Sequence, residues 1–378
     1  MPIIGLNGKV IKEEDIGFLT EMLRGSLENH IYHLTEWQRT AAARAEDPAF
    51  YDRILQHFRN GVDHLSEKIN AAREGNRKIK VPDLIKEVYS GISREIVEQL
   101  RQEDMNQLGI SVAVDSFLNY EASEWGDGNL AREYPNKQEM KIGAKDTDAG
   151  YTRTESAFRF VTEPLDGIEE IEEYDPAKDS VAALYGGRAG NSGTLNPAKE
   201  GYQEKMAGLI IGGETARGRS VELRNKAEVS FGDLFETLTR LNKVVMTNDP
   251  QGGKLRGFGI TSNDVIGSGT FAAPVNVYKT LSQIADGINQ IKKVEDPALR
   301  KTRAIQLAAF SYQMLVSEHV FAAANGRTGR LYADTILKDY GIDLLEANGK
   351  SYLPLATLND LFSLSYNGAL YISTAPAR

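Results

Sequence analysis

Apolar residues recur at spacings of three and four along several stretches of the first hundred residues, which is the period of an amphipathic α-helix. Stretches with this pattern are residues 16–40, 48–74 and 82–101. The second begins with Asp47 and Pro48, a capping residue followed by proline at the first helical position, and Gly75 stops it. The pattern predicts an N-terminal helical region over residues 1–105.

The helical period returns in the last third of the chain. Ser230 and Asp233 stand where the two partners of an N-terminal helix cap stand, ahead of an apolar stripe that ends at Val245. Two further helices are predicted, one over residues 275–292 and one that starts at Asp296-Pro297 and runs down to a histidine. We therefore expect a helical core, with closing helices, over residues 230–378.

Two intervening stretches lack this period. Residues 254–270 alternate apolar and polar positions, with glycines interspersed, and predict a β-hairpin among helices. Residues 106–229 are rich in glycine and charge and predict an irregular region, which could be an elaboration of the core. Its glycine clusters at 186–193 and 212–219 fit neither phosphate-binding pattern, so flexible surface loops are the favoured interpretation.

Composition narrows the class of protein. The 378 residues carry a formal net charge of −9, which argues against nucleic-acid binding and favours a protein partner or a small ligand. No apolar run approaches the length of a membrane span, and residues 1–16 lack the features of a cleaved signal peptide. The absence of cysteine excludes disulfides, thiolate catalysis and cysteine-bound zinc.

The chemistry of the chain is concentrated between His319 and Arg330. A histidine, a turn of small residues, a glycine and two arginines at a predicted helix start are the layout of an anion site beside a general base. The other histidines, at positions 30, 33, 57 and 64, could in principle bind a metal, but no ligand motif accompanies them and ordinary helix positions are favoured.

The stretch from His319 to Arg330 resembles the signature of the Fic family (filamentation induced by cAMP), H-x-F-x-[D/E]-[G/A]-N-G-R-x-x-R. The resemblance covers residues 230–345 and implies a mainly α fold: a Fic-type helical core with a β-hairpin flap, preceded here by the N-terminal helical region. Phe321, a motif position, is expected to be a core anchor for the loop.

The resemblance also implies an activity and a set of roles. His319 would take the proton from a Ser, Thr or Tyr hydroxyl of a target protein as that oxygen attacks a nucleotide such as ATP. The residues expected to bind the phosphates are Asn325, Gly326, Arg327 and Arg330. The flap residues expected to dock the target by strand addition are Gly257, Phe258, Gly259, Ile260 and Thr261.

One motif position departs from the family. Where the family has an Asp or Glu that holds the Mg²⁺ bridging the phosphates, this chain has Ala323, and a methyl group is no ligand for a hard cation. The adjacent Glu318 points about 100° away from His319 on a helix and is no simple substitute. Metal dependence is therefore expected to be unusual, with no metal-binding residue assigned.

Three functions stay open at this point. The chain could be an AMP-transferring enzyme, a Fic enzyme with altered donor chemistry, or a pseudoenzyme that binds a nucleotide or a partner. The continuation Gly329–Ala333 is similar to Fic effectors that modify Rho proteins, which implies a bacterial toxin, either cytoplasmic or translocated into a host cell. Glu74 lies in a segment close to the family's inhibitory motif, for which an ordinary helix end is the favoured alternative.

Overall fold

Helices make up most of the described residues in a computed structural model. The residues that it describes are 3–6, 8–39, 48–74, 78–85, 87–88, 160, 169–170, 201–255, 274–317 and 320–343. The chain divides into two compact units, Met1–Thr152 with Lys254–Lys279 and Arg153–Gly253 with Thr280–Arg378. The mainly α fold class predicted from the sequence is confirmed.

The first unit includes the helices α1 (Glu13–Arg39), α2 (Pro48–Asp63) and α3 (Leu65–Glu74). Helix α1 packs against both α2 and α3, as their apolar stripes require. The shared core comprises Leu19, Met22, Leu23, Leu27, Tyr51, Leu55, Phe58, Leu65 and Ile69. Strands β1 (Ile3–Ile4) and β2 (Ile79–Lys80) pair in parallel, a short pairing that the sequence pattern did not predict.

The single helix expected over residues 48–74 is divided at His64, although the backbone bonds continue through it from Asn60 to Lys68. Of the helix expected over residues 82–101, residues 81–85 and 87–88 are helical and the remainder lies outside the described part. Among the described side chains, no group of three potential ligands could hold a metal ion.

The second unit brings together the last five described helices. They are α4 (Tyr202–Asn225), α5 (Phe231–Val245), α6 (Pro274–Ile291), of which residues 280–291 belong to this unit, α7 (Pro297–Ser317) and α8 (Asn325–Asp339). Helix α8 packs against α4, α5 and α7 and so lies at the centre of the unit. Strands β3 (Glu169–Glu170) and β4 (Ile342–Asp343) pair antiparallel at its end.

Both predicted helix caps of this unit are present. Ser230 and Asp233 form a reciprocal capping box at the start of α5, in which each side chain accepts a hydrogen bond from the other residue's backbone N–H. The Oδ1 atom of Asp296 accepts from the backbone N–H of Ala298 at 2.9 Å and so caps α7. Cap residues thus located these two helix starts from sequence alone.

The expected surface loop at residues 212–219 is wrong, because these residues lie within α4. Gly212, at the start of this segment, serves close packing rather than flexibility. A Cβ atom on Gly212 would lie 2.9 Å from Val245 of α5 and 3.2 Å from Leu331 of α8, closer than side chains pack. The absent Cβ lets the α4 backbone approach both helices, and that packing compensates for the low helix propensity of glycine.

None of the helices in the described part of the chain is both long and apolar enough to cross a membrane.

Candidate active site

The motif turn connects α7, which ends at Ser317, to α8, which begins at Asn325. Val320 and Phe321 enter the core on the way, with exposed fractions of 2% and 1%. The predicted role of Phe321 as a core anchor is confirmed. Because the ring is fixed in the core, the three alanines that follow must turn within a short length of chain to start α8.

Asn325 closes this turn with two hydrogen bonds to one residue. Its Oδ1 atom accepts from the backbone N–H of Phe321 and its Nδ2 atom donates to the backbone C=O of Phe321, both at 2.8 Å. All these groups are buried, so water cannot replace either bond. In the described structure the side chain of Asn325 therefore holds the turn, while its backbone begins the helix.

Ala324 gives the turn its direction. It adopts the left-handed conformation, with φ 60° and ψ 22°, and stands at the N-cap of α8 without a side-chain capping bond. A left-handed conformation is unusual for a residue with a side chain and costs on the order of 1 kcal/mol or more. Ala324 therefore places no polar capping side chain over the start of α8, which is the positive end of the helix dipole.

Gly326 and Arg327 occupy the first turn of α8. A Cβ atom on Gly326 would meet no atom of the described neighbouring residues within 4 Å, so none of these residues packs against this side of the helix start. The guanidinium of Arg327 reaches back to the sulfur of Met246, with Nη2 and Sδ 3.7 Å apart. Arg330 lies one turn further along α8, and its side chain is outside the described part.

Ala323 offers the site a backbone carbonyl and a methyl group. The carbonyl accepts a hydrogen bond from Asn242 at 2.9 Å, which fixes the backbone at this position. The side chain supplies no oxygen, and no set of three acidic or histidine ligands exists among the described residues. The residues described around position 323 therefore do not fit the Mg²⁺ that the family motif implies.

Asn242 of α5 is a site residue that the sequence analysis missed. It is fully buried, and besides Ala323 it bonds Thr328 of α8 at 3.0 Å and Gly253 at 2.8 Å. A signal was available, because Asn242 stands at i+4 from Leu238 on the apolar stripe of α5. A polar residue on a buried stripe requires hydrogen-bond partners within the fold.

The far end of α8 is held by charge. The carboxylate of Asp339 accepts hydrogen bonds from Arg217 and Ser220 of α4, and Arg224 donates to its backbone carbonyl at 2.9 Å. Burial raises the pKa of Asp339 to about 6, while Arg224 and Arg217 act in the opposite direction. Burial and the charge of Asp339 also raise the pKa of Tyr340 to about 12.

These contacts attach α4 to the C-terminal end of α8. Helix α4, part of which the sequence pattern indicated to be a loop, therefore supports α8, the helix that carries the motif.

Several predicted site residues lie outside the described part of the chain. They are His319 and the flap residues Gly257, Phe258, Gly259, Ile260 and Thr261. Of the flap segment, Lys254 and Leu255 are described, and Leu255 is buried. The base role of His319 and the docking role of the flap stay predictions. Asn325, Gly326 and Arg327 are brought together at the start of α8.

Comparison with known proteins places this region in a family. Residues 235–337 match the model of the Fic/DOC family, from the start of α5 to near the end of α8. No significant match to a curated protein sequence was found.

Among solved structures, the chain is similar to a fragment of Fic-1 from C. elegans (amino acids 134–508). The identity is 19% and the TM-score is 0.32, with 84% of this chain and 90% of that chain covered. It is also similar to a single-substitution variant of that fragment, at 19% identity and a TM-score of 0.30, covering 81% and 90%. TM-scores this low do not by themselves establish a common fold.

The matched residues include α6, α7, the motif turn and most of α8, with the turn geometry described above. Residues 235–337 therefore form a Fic domain. Domains of this family belong in general to protein-modifying transferases, which act on protein targets.

Proposed function

We propose that this chain transfers AMP, or another nucleotide-derived group, from a nucleotide donor such as ATP to a Ser, Thr or Tyr hydroxyl of a target protein. The observation that carries the proposal is the turn between Phe321 and Asn325, within the matched Fic region. This turn brings the start of a helix, a glycine and an arginine to one place. Such a place suits a phosphate.

The roles in the proposed reaction follow the sequence motif. His319 accepts the hydroxyl proton of the target, the hydroxyl oxygen bonds to the α-phosphorus of the donor, and the bond from that phosphorus to the pyrophosphate leaving group breaks. Arg327 and Arg330 neutralise phosphate charge, which guanidinium groups do well because they pair with two oxygens at once. The flap residues 257–261 hold the target chain by strand addition.

To bind a phosphate, the Arg327 guanidinium would have to lose its contact with Met246, or keep it while another of its N–H groups pairs with the phosphate. The contact of Nη2 with Sδ, at 3.7 Å, is weak, since a thioether is a poor acceptor. A phosphate oxygen accepts from a guanidinium far better than a thioether does, so pairing with a phosphate would be favoured over this contact.

The donor chemistry is where this chain departs from its family. Position 323 provides no carboxylate, so no step is assigned to Mg²⁺ at that position. Loss of one charge-stabilising contact in a transition state costs about 3–4 kcal/mol, or a factor of about 10² to 10³ in rate. We therefore expect slow transfer with little Mg²⁺ dependence.

Ala323 also supports a second candidate, in which the site binds a nucleotide-linked donor of different chemistry or binds a nucleotide without turnover. Both variants keep the anion site and lose the metal-dependent step. Like the first candidate, both variants predict nucleotide binding at the start of α8. They differ from it in predicting another product or none.

The deciding experiment incubates the full chain with bacterial or host protein extracts and nucleotides labelled at the α-phosphate, with and without Mg²⁺. Label on a target hydroxyl supports the proposal, and label without added Mg²⁺ supports the metal-poor mechanism. Nucleotide binding without any transferred label would refute transfer of a nucleotidyl group and support the second candidate.

A further inference from the structure

One buried asparagine ties three separate segments of the second unit together. The Nδ2 atom of Asn242 donates to the backbone C=O of Ala323 at 2.9 Å and to Oγ1 of Thr328 at 3.0 Å. Its Oδ1 atom accepts from the backbone N–H of Gly253 at 2.8 Å. Both N–H groups of the amide are in use, and the side chain is fully buried.

We propose that Asn242 is a positioning residue for the anion site, because it fixes the motif turn relative to the first turn of α8. This proposal rests on the proposed function. The two donated bonds run to either side of the phosphate-binding segment: Ala323 lies just before the helix start and Thr328 lies one turn into it. A single planar amide therefore sets the spacing between the turn and the helix.

The bond from Gly253 determines which way the amide faces. Since that N–H donates to Oδ1, the NH₂ group is left to point towards the motif. Gly253 has φ 75°, and a Cβ atom there would lie 3.0 Å from the backbone oxygen of Thr239. Glycine at this position lets the loop approach α5 closely enough to orient Asn242.

These three hydrogen bonds explain why position 242 is an asparagine. The position requires two donors and one acceptor on a short side chain, and asparagine supplies them. Aspartate has the acceptor but would set a carboxylate against the Ala323 carbonyl. Alanine has neither, and would leave the buried Thr328 hydroxyl and two part-buried backbone groups without this partner.

A second contact links the same helix end to the proposed phosphate site. The backbone N–H of Met246 donates to the backbone carbonyl of Asn242 at 2.9 Å, and the sulfur of Met246 contacts the Arg327 guanidinium. The end of α5 therefore holds both the motif turn and the motif arginine. Loss of the Asn242 amide would release the turn while leaving Met246 in place.

The test compares Asn242→Ala and Asn242→Asp with a matched control, Asn289→Ala. Asn289 also bonds one backbone residue through both ends of its amide, accepting from the N–H of Val229 at 2.8 Å and donating to its C=O at 2.7 Å. Its hydrogen bonds join α6 to the residue before the cap of α5 rather than to the motif turn, so its loss should lower Tm without altering the site.

Dissociation constants for ATP and Tm values are measured on the full chain. We expect Asn242→Ala to weaken ATP binding about tenfold or more, and Asn289→Ala to leave it unchanged at a similar loss of Tm. Thr328→Val removes one of the two acceptors and should weaken binding by less, whereas Thr328→Ser keeps the hydroxyl and should bind as the wild type does. Equal ATP affinity for Asn242→Ala and wild type would overturn the proposal.

Hydrogen exchange of residues 320–328 without nucleotide separates this inference from the proposed function. Asn242→Ala should speed exchange in that segment, and Asn289→Ala should not. A wild-type chain that binds no ATP would refute the choice of donor, and the exchange result would still decide on Asn242. Unchanged exchange in Asn242→Ala, or the same change in Asn289→Ala, would show that the residue has no positioning role.

Discussion

At the residue scale, the motif turn depends on the pairing of Asn325 with Phe321. Replacement of Asn325 by alanine removes both hydrogen bonds and leaves the buried N–H and C=O of Phe321 without partners. We expect the free energy of unfolding to fall by about 2–4 kcal/mol, at about 1–2 kcal/mol for each buried group left unpaired. Urea denaturation measures this. A loss below about 0.5 kcal/mol would show that the turn holds its shape without the amide.

Ala323 is the residue whose change should alter chemistry rather than stability. Ala323→Glu restores the carboxylate that the family has at this position, so transfer should become dependent on Mg²⁺ and faster by a factor of about 10². Initial rates of label transfer with and without Mg²⁺ check this, with Ala323→Gln as the uncharged control. Equal rates for the Glu and Gln variants would mean that position 323 has lost its part in catalysis.

Only some residues of this candidate site could be predicted from the sequence. Asn325, Gly326 and Arg327 were found because they are close in sequence and belong to a recognisable motif. Asn242 was missed because it lies 81 positions before Ala323, and only the packing of α5 on the motif turn brings them together. A buried asparagine at a stripe position indicates a polar partner without identifying it.

At the element scale, α4 is the largest difference between expectation and structure. Six of the 24 residues in this helix are buried, and four of these are small. The sequence pattern therefore lacks the large apolar stripe by which the other helices were recognised. Its stability comes from close contact with α5 and α8, which no local pattern encodes.

The glycines of α4 provide a matched pair of substitutions. A Cβ atom on Gly208 would collide with Oγ1 of Thr247 and lie 3.1 Å from the carbonyl of Val244, whereas a Cβ atom on Gly218 would meet no atom of the described residues within 4 Å. Gly218→Ala should stabilise the chain by about 0.5–1 kcal/mol through helix propensity. Gly208→Ala should destabilise it by about 1–3 kcal/mol.

Thermal or urea unfolding of the two variants measures this difference. Equal effects for Gly208→Ala and Gly218→Ala would contradict close packing of α4 on the end of α5.

The joint between α4 and α8 should give the protein a pH-dependent stability. Burial raises the pKa of Asp339 from its ordinary 3.8 to about 6, so the folded state holds this proton more tightly than the unfolded state does. Its contribution to the free energy of unfolding is therefore greatest below about pH 4. That contribution decreases by up to about 3 kcal/mol as the pH rises through 6.

Asp339→Asn lacks the titrating group, so its stability should be flatter than that of the wild type between pH 4 and 6. Urea denaturation at intervals across this range measures the difference. A wild-type slope equal to that of Asp339→Asn would show that Asp339 titrates alike in the folded and unfolded states.

At the scale of the whole molecule, the sequence predicted the class of fold, and the structure confirms it. The helical period located α1, α5, α6 and α7 because each buries a continuous apolar stripe. The short strands β1–β4 were not predicted, since pairs of two residues carry no period. The function was reached through one twelve-residue motif, which the match over residues 235–337 supports at the level of the family.

In the proposed reaction, His319 is the base beside an anion site formed at the start of α8. The most direct measurement compares wild type with His319→Ala in two assays, ATP binding at equilibrium and transfer of α-phosphate label to a target protein. His319→Ala should bind ATP within about threefold of wild type and lose transfer by a factor of about 10² or more. Transfer at the wild-type rate by His319→Ala would contradict the role of His319 as the base.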